Sequence, residues 1–400
     1  MSVLSGKKIL LGITGGIAAY KTPLIIRLLK SVKAEVRVVM TPAAKDFVTP
    51  LTLSTLSGNP VLSNFTESQK DNPVWNDHVE LGKWADLFIL APTTSNTLSA
   101  MVNAKCNNLL IATYLSCKSK VYIAPAMDLD MYAHPANQFN LEKLKSRGNK
   151  ILPVGEGFLA SGLHGKGRML EPEEIIQWVE KDILESLPLN GKKVLITAGP
   201  TYEPIDPVRF IGNHSSGKMG FALAEQAVKL GAEVILITGP SSITTTYKMQ
   251  IINVVTSEEM FIRVKNIFNK IDFALAAAAV ADFKPKEPNH LKIKKDIDLS
   301  TIKLEPTQDI LAWMGKNKSH QFILGFALET NDEIKNAISK LKSKNLDAIV
   351  MNSLKNSGAG FSGDTNKVSY ITRDEIIIPF ELKLKDQVAI DIFTEILKHV

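Results

Sequence analysis

The sequence predicts an α/β fold made of two Rossmann-like, doubly wound domains, and three observations carry that prediction. A strand, glycine turn and helical pattern open the chain and recur in its middle. The second strand recurs as well. The apolar runs are continuous instead of alternating, as in parallel sheets buried on both faces. In order, Gly6-Lys7-Lys8 leads into ILLGI and Gly191-Lys192-Lys193 into VLITA, each run ending near glycine and followed by helical periodicity. Ala34-Glu35-Val36 and Ala232-Glu233-Val234 open the second strands, and residues 85–92 and 272–282 form a third pair. The GKK and AEV starts lie 28 residues apart in the first half and 41 in the second. The 13 extra residues fall around YEPIDPVRFIGNHSSGKMG, at the carboxyl end of a first strand, where open α/β sheets bind ligands. Pro188 separates a helical pattern from a new strand, which predicts domains over 1–186 and 187–400.

The composition narrows the function classes. Apolar residues make up 45% of the 400 and charged residues 22%, which excludes a disordered or collagen-like chain. No uncharged apolar run is long enough to span a membrane, and the first apolar stretch runs into a glycine turn instead of a cleavage site. Two cysteines, Cys106 and Cys117, exclude a disulfide framework and point to a cytoplasmic location. The net charge is +6, split evenly: 20 basic and 17 acidic residues through position 190, 27 and 24 beyond it. Neither half has the basic excess of a nucleic-acid scaffold.

In the first half, Gly12, Gly15 and Gly16 follow the first strand but do not make the dinucleotide fingerprint, because Thr14 stands where a glycine is needed. A mononucleotide suits this turn better than NAD, which disfavours a nicotinamide dehydrogenase. Thr41 ends the second strand, and Thr93, Thr94, Ser95 and Asn96 follow the later one. Such a hydroxyl cluster suits a phosphate, a ribityl chain or a ring edge, and equally suits helix capping. His78 sits in a polar stretch before a helical pattern. No metal-ligand spacing occurs.

In the second half, residues 212–219 nearly read as a P-loop, but Met219 replaces the required hydroxyl. Asn213, Ser215, Ser216 and Gly217 precede a helical stretch whose N-terminus suits anions. The small residues 276–280, Ala279 among them, permit close approach of a planar base or sugar, and equally serve tight packing. The basic run Lys292-Ile293-Lys294-Lys295 puts cations where a triphosphate would need them.

The set GGIAAYK, HVELGKWADLFILAPTTSNT, PAMDLDMYAHPA and GFLASGLHGKGRM resembles the homo-oligomeric flavin-containing cysteine decarboxylases. The set AGPTYEPIDPVRFIGNHSSGKMGFALA, AAAVADFKP, KIKK and GFALET resembles the phosphopantothenoylcysteine synthetases. Together they cover nearly the whole chain in the order of the bifunctional decarboxylase/ligase family of coenzyme A biosynthesis. The resemblance implies a flavodoxin-like FMN-dependent decarboxylase half and a doubly wound CTP-dependent ligase half. It implies 4'-phosphopantothenate, cysteine and CTP as small-molecule substrates, Mg2+ with the CTP, and no nucleic-acid or membrane partner. It further implies a homo-oligomer, with trimers of the flavin half, dimers of the ligase half and flavin sites built between subunits.

By the same resemblance His78 is the active-site histidine, and the substrate's cysteinyl thiol is oxidised to a thioaldehyde whose C=S accepts the electrons as CO2 leaves. Gly15, Gly16, Thr41, Thr93, Thr94, Ser95 and Asn96 are the flavin-side residues. Two positions depart from the family pattern. Asp128 stands where asparagine is usual, and an ionised aspartate repels the carboxylate that asparagine binds. Ser161 stands where a cysteine donates a proton, and a serine is the weaker acid. His164 and Lys166 are candidate substitutes for it. In the ligase half the resemblance makes Asn213, Arg209 and Lys292 active-site residues. It gives the nucleotide to Ala279, Asp282, Lys292, Thr307, Gln308 (often proline in the family), Asp309, Ile310, Phe326, Lys340 and Lys344. A working ligase fused to a regulatory or inactive flavin-binding domain is the alternative these departures motivate.

Overall fold

The computed structural model describes residues 2–67, 74–294, 301–329, 332–353 and 363–399. The chain divides into two compact units, Met1–Glu185 and Ser186–Val400.

In the first unit, strands β1 (Lys8–Ile13), β2 (Glu35–Met40), β3 (Val61–Leu62), β4 (Leu87–Thr93), β5 (Lys120–Pro125) and β6 (Lys150–Ile151) form one parallel sheet in the order β3-β2-β1-β4-β5-β6. Without the two-residue edge strand β3, this is the 2-1-3-4-5 order of flavodoxin-like sheets. The continuous apolar runs have a direct cause. Ile9, Leu11 and Ile13 of β1 enter one core cluster, while Leu10 enters a second on the opposite face. Helices α1 (Thr22–Ser31), α2 (Pro50–Ser57), α3 (His78–Trp84), α4 (Ser95–Val102), α5 (Leu109–Ser116), α6 (Leu129–Ala133), α7 (Pro135–Ser146) and α8 (Pro172–Glu185) complete the unit. The chain leaves β1 and β4 toward opposite sides, so a crevice opens between their carboxyl ends. The glycine turn does not enter α1 directly; a 3-10 turn, Ile17–Lys21, intervenes.

A hairpin of β7 (Gly155–Phe158) and β8 (His164–Arg168) leaves the sheet and folds over that crevice. It docks through Met127 N–H, which donates to the Gly167 carbonyl at 3.0 Å. Gly167 has φ +140°, and a Cβ there would lie 2.4 Å from the Met127 carbonyl oxygen, so no other residue fits this contact unstrained.

The second unit repeats the plan. Strands β9 (Lys193–Ala198), β12 (Glu233–Thr238), β13 (Gln250–Asn253), β14 (Phe273–Ala276), β17 (Phe322–Glu329) and β18 (Ala348–Ser353) run parallel in the order β13-β12-β9-β14-β17-β18. Antiparallel β19 (Val368–Thr372) and β20 (Ile377–Pro379) extend the β18 edge. The helices are α9 (Lys218–Lys229), α10 (Ser257–Ile267), α11 (Ile310–Lys316), α12 (Glu333–Ser343) and α13 (Lys385–Ile396). The sequence insertion contains a hairpin of β10 (Tyr202–Pro204) and β11 (Phe210–Gly212), with the Tyr202 and Phe210 rings stacked. Strands β15 (Phe283–Pro285) and β16 (Leu304–Pro306) pair beyond the sheet.

The third strand of this unit is shorter than the sequence suggests: β14 stops at Ala276. Past it the backbone bonds to the β9 side, with Ala277 N–H on the Thr197 carbonyl at 3.1 Å and Ala279 N–H on Gly199 at 2.8 Å. The alanines thereby leave the β17 ladder and become the wall of a cavity.

Candidate active sites

The first unit holds a cavity of about 610 Å³ at the carboxyl ends of β1 and β4. It gathers Gly15, Gly16, Thr94, Ser95, Asn96, Asp128 and Ser161 from four separate segments. Gly15 presses against residue 43, where a Cβ would lie 2.7 Å from the Ala43 Cβ and 2.9 Å from its carbonyl carbon. Thr14, which sequence reasoning used only to reject a fingerprint, ties the two loops together. Its hydroxyl donates to the Pro92 carbonyl at 2.8 Å and accepts from Thr94 N–H at 3.1 Å. Thr94 caps α4 without a side-chain hydrogen bond to it, and the first two residues of that eight-residue helix, Ser95 and Asn96, line the cavity. Ser95 Oγ itself donates to Asn137 Oδ1 at 2.7 Å.

Thr41 and Thr93 are buried and are not among the residues that line the cavity. Thr93 Oγ1 donates to the Leu90 carbonyl at 3.0 Å, whereas the buried Thr41 Oγ1 has no partner. Burying a hydroxyl without a partner is costly, so a ligand acceptor or donor is what this position lacks. His78 is not among the lining residues. It starts α3, packs edge-on against Phe65 and Trp75, and keeps a buried Nδ1 without a partner. His164 and Lys166 do not line the cavity either, and His164 lies edge-on against Phe158.

Asp128 caps α6, its Oδ1 accepting from Leu129 N–H at 2.7 Å. The cations of the same cavity turn elsewhere. Buried Lys21 sits 2.8 Å from Glu171 Oε1, and Arg168 donates to the same oxygen at 3.0 Å. The Lys21 hydrogen bond, opposed by partial burial and assisted by Arg168, holds the Glu171 carboxyl below its ordinary pKa. Among the described residues, neither lysine nor arginine engages the Asp128 carboxyl group. Ser161 sits at the hairpin tip, in the turn closed by Gly162 N–H on the Leu159 carbonyl at 2.9 Å.

The second unit holds two adjoining cavities, about 340 and 370 Å³, at the carboxyl ends of β9 and β14. Ala278, Val280, Asp282 and Phe326 belong to both. The larger gathers Thr307, Gln308, Asp309, Ile310, Lys340 and Lys344, with Lys344 Nζ 2.8 Å from Asp309 Oδ2. Thr307 Oγ1 donates to the Ala281 carbonyl at 2.6 Å, which fixes this segment on the wall. The smaller gathers Asn213, Ser215, Ser216, Gly217 and Ala279. Asn213 Nδ2 donates to the Val280 carbonyl at 2.9 Å, so its amide braces the wall between the two cavities.

Arg209 and Lys292 line neither cavity. The Arg209 guanidinium forks onto Asp206, with Nε 2.9 Å from Oδ2 and Nη2 on the same oxygen, and Nη2 also donates to the Ile293 carbonyl at 2.8 Å. Ile293 N–H returns to Asp206 Oδ2 at 3.2 Å. The pair thus clips the exposed Lys292–Lys294 stretch to the inserted segment; Lys295 lies outside the described residues. The Arg209 guanidinium, followed by backbone N–H groups of Val208, Arg209 and Ile293, holds the Asp206 carboxyl well below the usual range. The insertion was visible in the sequence; its clip, joining positions 84 residues apart, was not. Among the described residues no group of three or more His, Cys, Asp or Glu is placed to hold a metal ion, and no helix is long and apolar enough to cross a membrane.

Comparison with known proteins assigns both units. A family model described as Flavoprotein matches residues 2–184, and one described as DNA/pantothenate metabolism flavoprotein C-terminal domain matches residues 189–400. A protein of an unknown prokaryotic organism named cysteine/cysteine sulfinic acid decarboxylase is 52% identical, covering 88% of this chain and 99% of its own. Proteins named coenzyme A biosynthesis bifunctional protein CoaBC include one from Haemophilus influenzae, 43% identical over 99% of this chain and 98% of its own. Another, from Escherichia coli K12, is 41% identical over 97% of each.

Proposed function

The chain belongs to the family of coenzyme A biosynthesis bifunctional CoaBC proteins, and from that premise we propose how its cavities divide the work. It is a bifunctional enzyme with ligase and decarboxylase activities, and its first unit is a flavoprotein domain. The ligase unit joins 4'-phosphopantothenate to cysteine at the expense of CTP, with Mg2+ held by the nucleotide's phosphates. CTP occupies the cavity of Asp282, Phe326, Lys340 and Lys344, and the acyl substrate occupies its neighbour. The substrate carboxylate attacks the α-phosphorus at their shared wall, pyrophosphate leaves, and the cysteine amine then displaces CMP to form the amide. Asn213 braces that wall, and Lys292 approaches from the clipped segment.

In the flavin unit the residues fit FMN. The orphaned Thr41 hydroxyl, the uncapped start of α4 and the Gly15–Gly16 turn offer donors and space for a phosphate and its ribityl chain. FMN supplies the oxidation and the later reduction that decarboxylation of a cysteinyl thiol requires. The hairpin carrying Ser161 closes over the substrate and limits water entry. His78 serves the cavity of a neighbouring copy, which fits its position away from its own; the family resemblance implies trimeric flavin and dimeric ligase contacts, and the low cysteine count suits a cytoplasmic location.

The observation that carries this reading is the gathering of Gly15, Gly16, Thr94, Ser95, Asn96, Asp128 and Ser161 around one cavity and of the nucleotide-side residues around another. The test is product mass after incubation with phosphopantothenate, cysteine, CTP and magnesium. Release of phosphopantetheine supports it. Accumulation of phosphopantothenoylcysteine by flavin-loaded protein instead supports a regulatory flavin domain.

Asp128 favours a second reading for the flavin unit. Its carboxylate, not engaged by Lys21 or Arg168, suits an α-ammonium, which free cysteine carries and phosphopantothenoylcysteine lacks. The 52% identical relative bears the name of an enzyme acting on cysteine. Cysteamine formed from cysteine alone, and abolished in Asp128→Asn, supports that reading.

A further inference from the structure

The hydroxyl cluster at the start of α4 is poorer in donors than its composition suggests. A hydroxyl carries one proton and two acceptor sites, so each can donate only once. Thr14 commits its proton to the Pro92 carbonyl at 2.8 Å, and Thr93 to the Leu90 carbonyl at 3.0 Å. Ser95, which lines the cavity, gives its proton to Asn137 Oδ1 at 2.7 Å. Asn137 is only 7% exposed and stands in the first turn of α7. Its Nδ2 donates to the Met131 carbonyl, also at 2.7 Å. That second bond fixes which way the amide points: turned over, it would set Oδ1 against the Met131 carbonyl, acceptor against acceptor. The turn is itself held, because Asn137 N–H donates to the His134 carbonyl at 2.9 Å and Gln138 Nε2 to the Tyr132 carbonyl at 2.5 Å. Ser95 therefore has lone pairs to offer the cavity and no proton.

We propose that Asn137 is a positioning residue of the flavin cavity: by holding the Ser95 proton it makes Ser95 an acceptor for a flavin hydroxyl or ring N–H, and bars that hydroxyl from the phosphate. This rests on the FMN reading above. A phosphate dianion presents only acceptor oxygens, which would meet the Ser95 oxygen lone pair to lone pair. The ribityl chain carries hydroxyl donors and the ring carries an N–H, and either satisfies Ser95. Thr41 is the contrast, since its buried hydroxyl has no protein partner and keeps its proton for an acceptor. Asn137 also joins two walls of the site. Met131, whose carbonyl it holds, lies in α6, the helix that Asp128 caps, and Ser95 opens α4. One buried amide thus sets the hydrogen-bonding sense of the flavin side and ties it to the segment carrying Asp128.

The test is fluorescence titration of the flavin-stripped full chain with FMN, riboflavin and lumiflavin, which lacks the ribityl chain. The variants are Ser95→Ala, Asn137→Ala and the two combined. Ser95→Ala should weaken FMN and riboflavin by the same factor, about five- to tenfold, the worth of one hydrogen bond. Lumiflavin decides between the two donors: an equal loss assigns the ring N–H, and no loss assigns a ribityl hydroxyl. Asn137→Ala should weaken FMN and riboflavin alike, and adding Ser95→Ala to it should cost almost nothing further, because both remove one contact. A merely structural asparagine would give additive losses, and that result overturns the positioning role. A loss confined to FMN in Ser95→Ala overturns the proposal, because the hydroxyl then serves the phosphate, and unchanged binding of every flavin overturns it as well. Ser95→Ala changes a half-buried surface position and still decides if Asn137→Ala misfolds. A wild-type chain that binds no flavin refutes the FMN reading itself, before any variant is compared.

Discussion

Gly167→Ala tests whether the hairpin over the first cavity is a working part of it. The substitution places a methyl 2.4 Å from the Met127 carbonyl oxygen, at a φ of +140° that an L side chain rarely adopts. Overpacking of this kind costs about 1–3 kcal/mol, and the backbone conformation adds roughly 1–3 kcal/mol. The cheapest relief is to lift β8 off residues 127–128, which gives up the 3.0 Å Met127–Gly167 hydrogen bond, worth about 1 kcal/mol net. Because these costs relieve one another, we expect a docking loss of roughly 2–4 kcal/mol, or on the order of 30- to 1,000-fold in hairpin closure. The global melt should move little, since the hairpin pairs with no strand of the main sheet. Hydrogen exchange at residues 155–168 should rise, and decarboxylase kcat/KM should fall while ligase rates hold. Gly162→Ala is the control: φ is +84° but nothing lies within 4 Å, so only turn strain is added. Wild-type decarboxylation by Gly167→Ala, or equal losses in both variants, would refute the closing role of the hairpin.

Four further outcomes follow from the geometry. Thr41→Val removes a buried hydroxyl that has no partner, so the flavin-free protein should melt as wild type while FMN binding weakens about five- to tenfold, the worth of one hydrogen bond; fluorescence titration reads it. Lys344→Ala should raise KM for CTP and spare the flavin absorbance; unchanged KM would remove Lys344 from the nucleotide site. Lys292→Ala should impair ligation with flavin absorbance unchanged, and loss of both together would argue against separate sites. Asp206 has a folded pKa below its ordinary value, so its stabilisation is present above about pH 3.9 and drains as pH falls below that, toward the folded value. Hydrogen-exchange protection at residues 289–294, relative to the free chain at the same pH, should therefore fall on acidification below pH 4 in wild type, and be low at every pH in Asp206→Asn.

The two sheets were legible because their signal is local and repeated. Runs such as ILLGI bury alternate residues on opposite faces, so Leu10 and Leu11 reach different cores and the whole run must be apolar. The segment 276–281 misled because alanine serves a strand and a cavity wall equally; the bonds from Ala277 N–H to Thr197 and from Ala279 N–H to Gly199 distinguish them. The glycine turn, the hydroxyl cluster and the 213–217 loop were readable from residue types, whereas Asp128, Ser161, Lys340 and Lys344 were named through family resemblance, because no spacing rule reaches from Gly15 to Ser161. Thr14, Gly167 and Asn137 escaped notice for related reasons. Thr14 looked like a failed glycine, yet its hydroxyl bridges both loops. Asn137 sits in an ordinary helix start, and its meaning comes from Ser95, far away in the chain.

The even charge split has a structural counterpart. A basic excess would hold phosphorylated ligands through a bulk field, but three of the cations at these sites are paired with carboxylates: Lys21 with Glu171, Lys218 with Asp364, Lys344 with Asp309. The pairs differ in burial, and the difference predicts which ones open. Glu171 engages the nearly buried Lys21 together with Arg168, so exchanging it for a ligand would strand a cation in a low-dielectric site. Asp364 and Asp309 are more than half exposed, and each can turn to water at little cost when a phosphate arrives. Ligand anions should therefore displace the ligase carboxylates and leave the Lys21–Glu171 pair intact. On that logic Glu171→Gln destabilises the flavin unit whether or not FMN is bound, whereas Asp364→Asn and Asp309→Asn shift ligand affinity with almost no change in melting temperature.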